Sequence, residues 1–302
     1  MVREPRLVLQ DLHDSQDLHD SCYPPNIRSN NDSMRKLFHL LPGHLQDRIR
    51  AFVRSFPVTA DPTSTWEHRM DGVLPGTESP THNPLEAFFD SRTTGRGIWK
   101  WRHYFEIYHR HFSRFAGREV HVLEIGVYSG GSLEMWKHYF GPQAKIYGVD
   151  IEPACKAYED EQVKIFIGDQ ASPEFWQAFK REVPTLDIII DDGGHEPHQQ
   201  ITTLEEMFPH LRAGGIYVCE DVTIRGNAFA AYIGQLTDHL NAYDWKADEE
   251  NSERRLIAHP TSFQATVNSI HLYPFVVVLE RAHNKVELVA PKHGTQWQPF
   301  LS

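Results

Sequence analysis

Four short apolar runs between residues 120 and 222, each closed by an acid, a glycine or both, constrain the fold more than anything else in the chain. They are Val122-Leu123-Glu124-Ile125-Gly126, Ile146-Tyr147-Gly148-Val149-Asp150, Asp187-Ile188-Ile189-Ile190-Asp191-Asp192-Gly193-Gly194-His195 and Gly215-Ile216-Tyr217-Val218-Cys219-Glu220-Asp221. β-Branched runs separated by helical segments read as buried parallel strands. In an open α/β sheet the C-terminal ends of such strands share one edge, and ligands bind there. Acids far apart in sequence are therefore expected to meet in one crevice, the layout of an enzyme with a nucleotide-like cofactor.

The pattern predicts strands at 121–125, 145–149, 163–167, 187–191 and 215–219, with helices near 131–140, 173–182, 198–211 and 227–241. Ser269–Tyr273 and Phe275–Glu280 are two further strands joined only through Pro274. So short a link suits an antiparallel hairpin, because a parallel crossover needs about a dozen residues. Ahead of this core, Ile98–Phe115 carries an aromatic stripe (Trp99, Trp101, Tyr104, Phe105, Tyr108, Phe112, Phe115) that predicts a helix. Residues 61–84 read as loop, and Ser33–Phe56 as two short amphipathic helices broken by Pro42-Gly43. The first 30 residues hold an echo, Asp11–Ser15 and Asp17–Ser21, whose His-Asp pairs have metal-binding chemistry but fit a disordered, mobile tail better.

Formal charge is −11 from 30 basic and 41 acidic residues, which argues against a nucleic-acid or anionic-membrane partner. No apolar run approaches the roughly 20 residues that span a bilayer. The start of the chain, Met1-Val2-Arg3-Glu4-Pro5, lacks an apolar signal region. The 3 cysteines show no metal-type spacing. A cytoplasmic protein with free thiols is the expectation.

Glu124-Ile125-Gly126 followed by Gly130-Gly131 lets backbone approach a ligand closely, yet the Gly-x-Gly-x-x-Gly dinucleotide fingerprint is absent. An acid directly before the first glycine suits a ligand with a cationic amine better than a pyrophosphate. Asp150 ends the second strand, where a carboxylate can accept both hydrogen bonds of a ribose diol. Asp169, in Ile167-Gly168-Asp169-Gln170, ends the third and can meet an adenine edge. Each acid taken singly is equally a strand-end or helix-cap carboxylate.

In this order Glu124-Ile125-Gly126, Asp150 and Gly168-Asp169 resemble the successive motifs of class I S-adenosylmethionine-dependent methyltransferases. The terminal hairpin is similar to that family's Rossmann-like sheet of seven strands, mostly parallel with one antiparallel. The resemblance covers roughly 120–282. It divides the chain into a tail (1–30), a helical and loop extension (31–95) and a methyltransferase domain (96–302). In this class such extensions cover the pocket or build homo-oligomers. The cofactor set it implies is Tyr104, Glu124, Gly126, Ser132, Asp150, Asp169, Gln170 and Asp191, with Glu124 at the amino-acid end of S-adenosyl-L-methionine.

Asp191-Asp192-Gly193-Gly194-His195 followed by Glu220-Asp221 resembles a narrower branch, the metal-dependent macrolide-sugar (mycinamicin-type) O-methyltransferases, as does Trp101–Tyr108 before the core. The resemblance implies Mg2+ on Asp192, Glu220 and Asp221, and His195 as general base. The chemistry is coherent in its own right. A sulfonium methyl is already activated, so alignment and one proton transfer remain. An alcohol needs a base or a metal to become a nucleophile. Carboxylates and waters suit a hard ion such as magnesium, which two adjacent hydroxyls can chelate. The reading is an O-methyltransferase for a vicinal-diol small molecule, a sugar or glycoside of secondary metabolism. A catechol or phenol O-methyltransferase and a catalytically silent cofactor-binding protein of the same fold stand as alternatives. Tyr104 and Tyr108, four apart on one helix face, either line the pocket or pack in the core.

Overall fold

Seven strands form one twisted sheet in the order β3-β2-β1-β4-β5-β9-β8, and every apolar run singled out above lies in it. The computed structural model describes residues 82–223, 227–242 and 260–287, together with the backbone of 244–247 and 256–259. The tail at 1–30, the helices expected within Ser33–Phe56, the loop as far as residue 81 and the start of the hypothesised extension lie outside the described residues. In chain order the elements are α1 (Pro84–Ser91), α2 (Arg102–Phe112), β1 (His121–Ile125), α3 (Gly131–Phe140), β2 (Lys145–Asp150) and β3 (Val163–Ile167). Then come α4 (Pro173–Glu182), β4 (Leu186–Asp191), α5 (Pro197–Met207), β5 (Leu211–Cys219) and α6 (Ala228–Leu240). A separate two-stranded hairpin, β6 (Asp244–Ala247) and β7 (Leu256–His259), precedes β8 (Val267–Tyr273) and β9 (Val276–Arg281).

Strands β1 to β5 pair in parallel, and β9 enters antiparallel between β5 and β8. The β8–β9 turn is tight, as the single intervening proline predicts, with Phe275 at φ 63°. Period-2 alternation divides the core into two layers. Val122, Ile188, Ile190, Ile216 and Val218 pack with Tyr108, Phe112 and Trp136 on the α2/α3 face. Leu123, Ile125, Ile189, Tyr217 and Cys219 pack with Trp176, Phe179 and Phe229 on the other.

Three features differ from expectation. Helix α2 begins only at Arg102, because residues 96–101 run as an extended strap that leaves Trp99 and Trp101 exposed. Helix α1 lies at the end of the expected helical and loop extension, and its Leu85 is fully buried in the core shared with α2 and α3. The helix expected to 211 stops at Met207, where Phe208-Pro209-His210 forms a short 3-10 turn and β5 starts four residues early. The β6–β7 hairpin was not anticipated, and Asp248–Glu250, between its strands, lies outside the described residues. Among the described residues no helix is long and apolar enough to cross a membrane.

Candidate functional site

The strand order puts the C-terminal ends of β1 to β4 around one cavity of about 440 Å³. Gly126, Ser132, Asp150, Asp169, Gln170, Asp192 and His195 all line it. Gly126 has φ +88°, and a Cβ there would lie 1.9 Å from the Asp192 carbonyl oxygen, so β1 and β4 can converge only on a glycine. Asp150 accepts from the Tyr128 and Glu152 backbone N–H groups at 3.0 and 2.9 Å, which fixes its carboxylate at the rim. Asp169 is fixed by the Ala171 N–H at 2.8 Å.

A second cavity of about 630 Å³ adjoins the first and shares Trp99, Lys100, His195 and Asp221 with it. Among the described residues the non-glycine positions with positive φ are Tyr128, His195, Asp221 and Phe275, and all four line one or both cavities. Such conformations cost about 1–3 kcal/mol each and persist where the surroundings impose them, commonly at functional sites.

Strand alternation separates the neighbouring acids. Asp191 shares the face of Ile189 and is 1% exposed, accepting from Gln170 Nε2 at 2.9 Å and the Tyr217 hydroxyl at 3.0 Å. Burial pushes its carboxyl up to about 6, against those hydrogen bonds. Asp192 falls to the opposite face, toward the α2 side. Glu220 follows Val218 onto that same face, where the Tyr108 hydroxyl donates to Oε1 at 2.5 Å and Lys100 to Oε2 at 2.8 Å. Lys100 also donates to Asp192 Oδ2 at 2.5 Å. Burial and the Asp192 charge push Glu220 up to about 8, while Lys100 and Tyr108 pull it back. Burial alone would lower the Lys100 ammonium, but Glu220, Asp192 and Glu124 together raise it above its ordinary value.

The outward oxygens meet elsewhere. Asp192 Oδ1 and Asp221 Oδ2 lie 3.9 and 3.7 Å from His195 Nε2, and ligand atoms of these three residues all fall within 4.8 Å of one another. The two carboxylate oxygens fit a hard divalent cation, with the imidazole standing beside them at the junction of the cavities.

Several expected site residues stand apart from the first cavity. Glu124, placed by alternation on the α3 face, is fully buried and accepts from Ser132 Oγ at 2.9 Å and Trp136 Nε1 at 3.0 Å; its side chain anchors α3 and does not line the cofactor cavity. Asp191 is likewise an anchor behind the wall. Tyr104 lines the second cavity, not the first, and donates to Asp221 Oδ1 at 2.7 Å. Glu220 is not among the three residues whose ligand atoms lie within 4.8 Å of one another, and its two oxygens face Tyr108 and Lys100. Lys100 and Trp99 are the residues missed: the aromatic stripe drew them into a helix. The signal for Lys100 lay in the acids themselves, since four carboxylates converging on one buried region call for a cation.

A methyltransferase-domain family model matches residues 123–222. The 8-demethyl-8-(2-methoxy-alpha-L-rhamnosyl)-tetracenomycin-C 3'-O-methyltransferase of Streptomyces olivaceus is 32% identical over 209 residues, 62% of this chain and 51% of that protein. Demethylmacrocin O-methyltransferase of Streptomyces fradiae is 40% identical over 159 residues, 50% of this chain and 39% of that protein. The chain thus spans about half or less of the length of these relatives. Among solved structures, the MycE methyltransferase from the mycinamycin biosynthetic pathway, in complex with Mg and SAH, superposes with a TM-score of 0.53 at 28% identity, covering 70% of this chain and 55% of that one. On this fold, this match and these relatives, residues 123–222 match a methyltransferase-domain family and the chain is similar, over part of its length, to these O-methyltransferases.

Proposed function

We propose that the protein is an S-adenosylmethionine-dependent, magnesium-dependent O-methyltransferase that methylates a hydroxyl of a sugar or glycoside in secondary metabolism. The observation that carries the reading is the Asp192–His195–Asp221 group in the wall between two adjoining cavities. The first cavity takes the methyl donor: Asp150 holds the ribose diol, Asp169 and Gln170 the adenine side, and the Gly126–Ser132 turn the amino-acid end. The second takes the acceptor. When bound, the sulfonium donor would supply an activated methyl group and the divalent ion positive charge to polarise a hydroxyl.

The chain's own residues do the rest. Asp192 Oδ1 and Asp221 Oδ2 would hold the ion, with Tyr104 fixing the other Asp221 oxygen. His195 Nε2, among the described residues the one imidazole that lines both cavities, takes the acceptor hydroxyl proton. Trp99 and the strap line one side of the donor cavity. The relatives' names, which specify O-methylation of a rhamnosyl compound and of demethylmacrocin, support the glycoside reading over the phenol one. The test is transfer of tritiated methyl from S-adenosylmethionine to a panel of rhamnosyl and other deoxysugar glycosides and catechols, with and without chelator. Labelling of catechols alone would replace the acceptor class. No labelling, with S-adenosylhomocysteine bound normally, would favour the silent cofactor-binding alternative.

A further inference from the structure

Lys100 sits where the carboxylates of this site would otherwise meet a metal ion. Its side chain is 3% exposed, and its ammonium is within hydrogen-bond distance of both Asp192 Oδ2 and Glu220 Oε2. Magnesium binds oxygen at about 2.0–2.1 Å and favours an octahedral oxygen shell. An oxygen already in close contact with a lysine ammonium has no room for such a bond on the same side. Asp192 Oδ1 and Asp221 Oδ2 remain open toward His195, but recruiting Glu220 or the second Asp192 oxygen requires the lysine to leave. The buried Glu124 carboxylate adds to the negative field around it. The cluster thus binds one cation through a side chain and is built to bind another from solution.

We propose that Lys100 is a tethered cation that competes with a divalent metal ion for Asp192 and Glu220. The inference rests on the metal reading given under Proposed function. It also reaches the donor cavity, because Lys100 belongs to the strap at 96–101. That strap lies directly on the start of α3: Ser129 Oγ donates to the Gly97 carbonyl at 2.9 Å, and a Cβ on Gly131 would come within 2.1 Å of the same oxygen. Ile98 and Trp99, adjacent on the strap, line the donor cavity. The residue that neutralises the acids thus lies next to residues that line the donor cavity.

The experiment titrates Mn2+ into the full chain and follows the free ion by electron paramagnetic resonance, for the wild type, Lys100→Met and Glu220→Gln. Competition predicts that Lys100→Met binds Mn2+ about tenfold or more tightly than the wild type, within the usual range of coupling between two sites. Glu220→Gln should bind it less tightly. A purely structural ion pair predicts the opposite for Lys100→Met, because its loss would loosen Asp192. Since that variant leaves buried carboxylates unpaired, a second reading uses the wild type alone: acylation of lysines by an N-hydroxysuccinimide ester, mapped by mass spectrometry. Lys100 should be protected in chelator and labelled at saturating Mn2+. Unchanged or weaker binding by Lys100→Met, or continued protection of Lys100 in the Mn2+-saturated wild type, overturns the competition and leaves the metal site standing. If neither wild type nor Lys100→Met binds Mn2+, the metal reading and this inference fall together.

Discussion

The side-chain amide of Gln170 ties the end of β3 to the loop that carries His195. Its Oε1 accepts from the Gly194 backbone N–H at 2.8 Å, while its Nε2 donates to Asp191 Oδ1 at 2.9 Å and Thr203 Oγ1 at 3.2 Å. One buried amide thereby fixes the donor wall and the backbone of the proposed base together. Gln170→Ala should lower kcat by about 10²-fold through misplacement of His195, the scale of a 1 Å error in a reacting group. Steady-state kinetics on an acceptor identified by the tritium assay checks this. A variant with unchanged kcat and a normally folded core would show that Gly194 positions His195 unaided.

Asp150→Ala should weaken S-adenosylhomocysteine binding by roughly 1.5–3 kcal/mol, the scale of hydrogen bonds to a charged group. Asp150 also accepts from two backbone N–H groups, so Asp150→Asn, which keeps an acceptor oxygen, should lose less. Calorimetric titration of both variants gives the comparison. Equal affinity in wild type and Asp150→Ala would remove the ribose assignment.

Metal and base roles separate by substitution. Asp192→Ala or Asp221→Ala should abolish metal-dependent turnover and leave S-adenosylhomocysteine binding largely intact. His195→Ala should retain metal and cofactor but lower kcat by about 10²–10⁴, the contribution of a positioned base. Chelator should inactivate the wild type and added magnesium restore it. Full activity in prolonged excess chelator, with no metal in the protein, would retire the metal role.

Glu124 makes stability depend on pH. Burial pushes its carboxyl up to about 7, against the pull of Lys100 and the hydrogen bonds from Trp136 and Ser132, from an ordinary value of 4.5. The native state therefore binds more protons than the unfolded state between those values, and this group's contribution falls as pH rises from about 4.5 to 7. Glu124→Gln cannot ionise, so its stability relative to wild type should climb by on the order of 3 kcal/mol across that window and stay level above it. Urea unfolding at pH 4.5, 6 and 8 measures the difference. Parallel pH profiles for the two proteins would show that Glu124 is not buried as an ionisable acid.

The strands and the acids at their ends were legible because they depend on neighbours along the chain: apolar runs, their length and the residue that closes each. The split between Asp191 and Asp192 follows from alternation once β4 is placed, yet the motif alone groups them. Lys100 was not legible, since its partners lie 92 and 120 residues away and only the folded sheet brings them together. Tyr104 reads as a cofactor residue or a core residue, and its contact with Asp221, 117 residues distant, decides for neither. Trp99 and Trp101 continue the periodicity of α2, but the chain ahead of Arg102 is extended, with Trp101 at φ −67° and ψ 136°.

The insertion of β9 between β5 and β8 has a consequence for the order in which the molecule is made. Every residue that lines the donor cavity has left the ribosome once Asp221 has, whereas the second cavity needs Phe275. The Val222 N–H donates to the Phe275 carbonyl at 2.9 Å, so the far wall is closed by a segment synthesised about fifty residues later. Until then β5 is an unpaired edge of apolar residues, the kind of edge that recruits other chains. A nascent chain arrested before residue 267 should bind S-adenosylhomocysteine yet aggregate, and this edge is where a chaperone would act during biosynthesis.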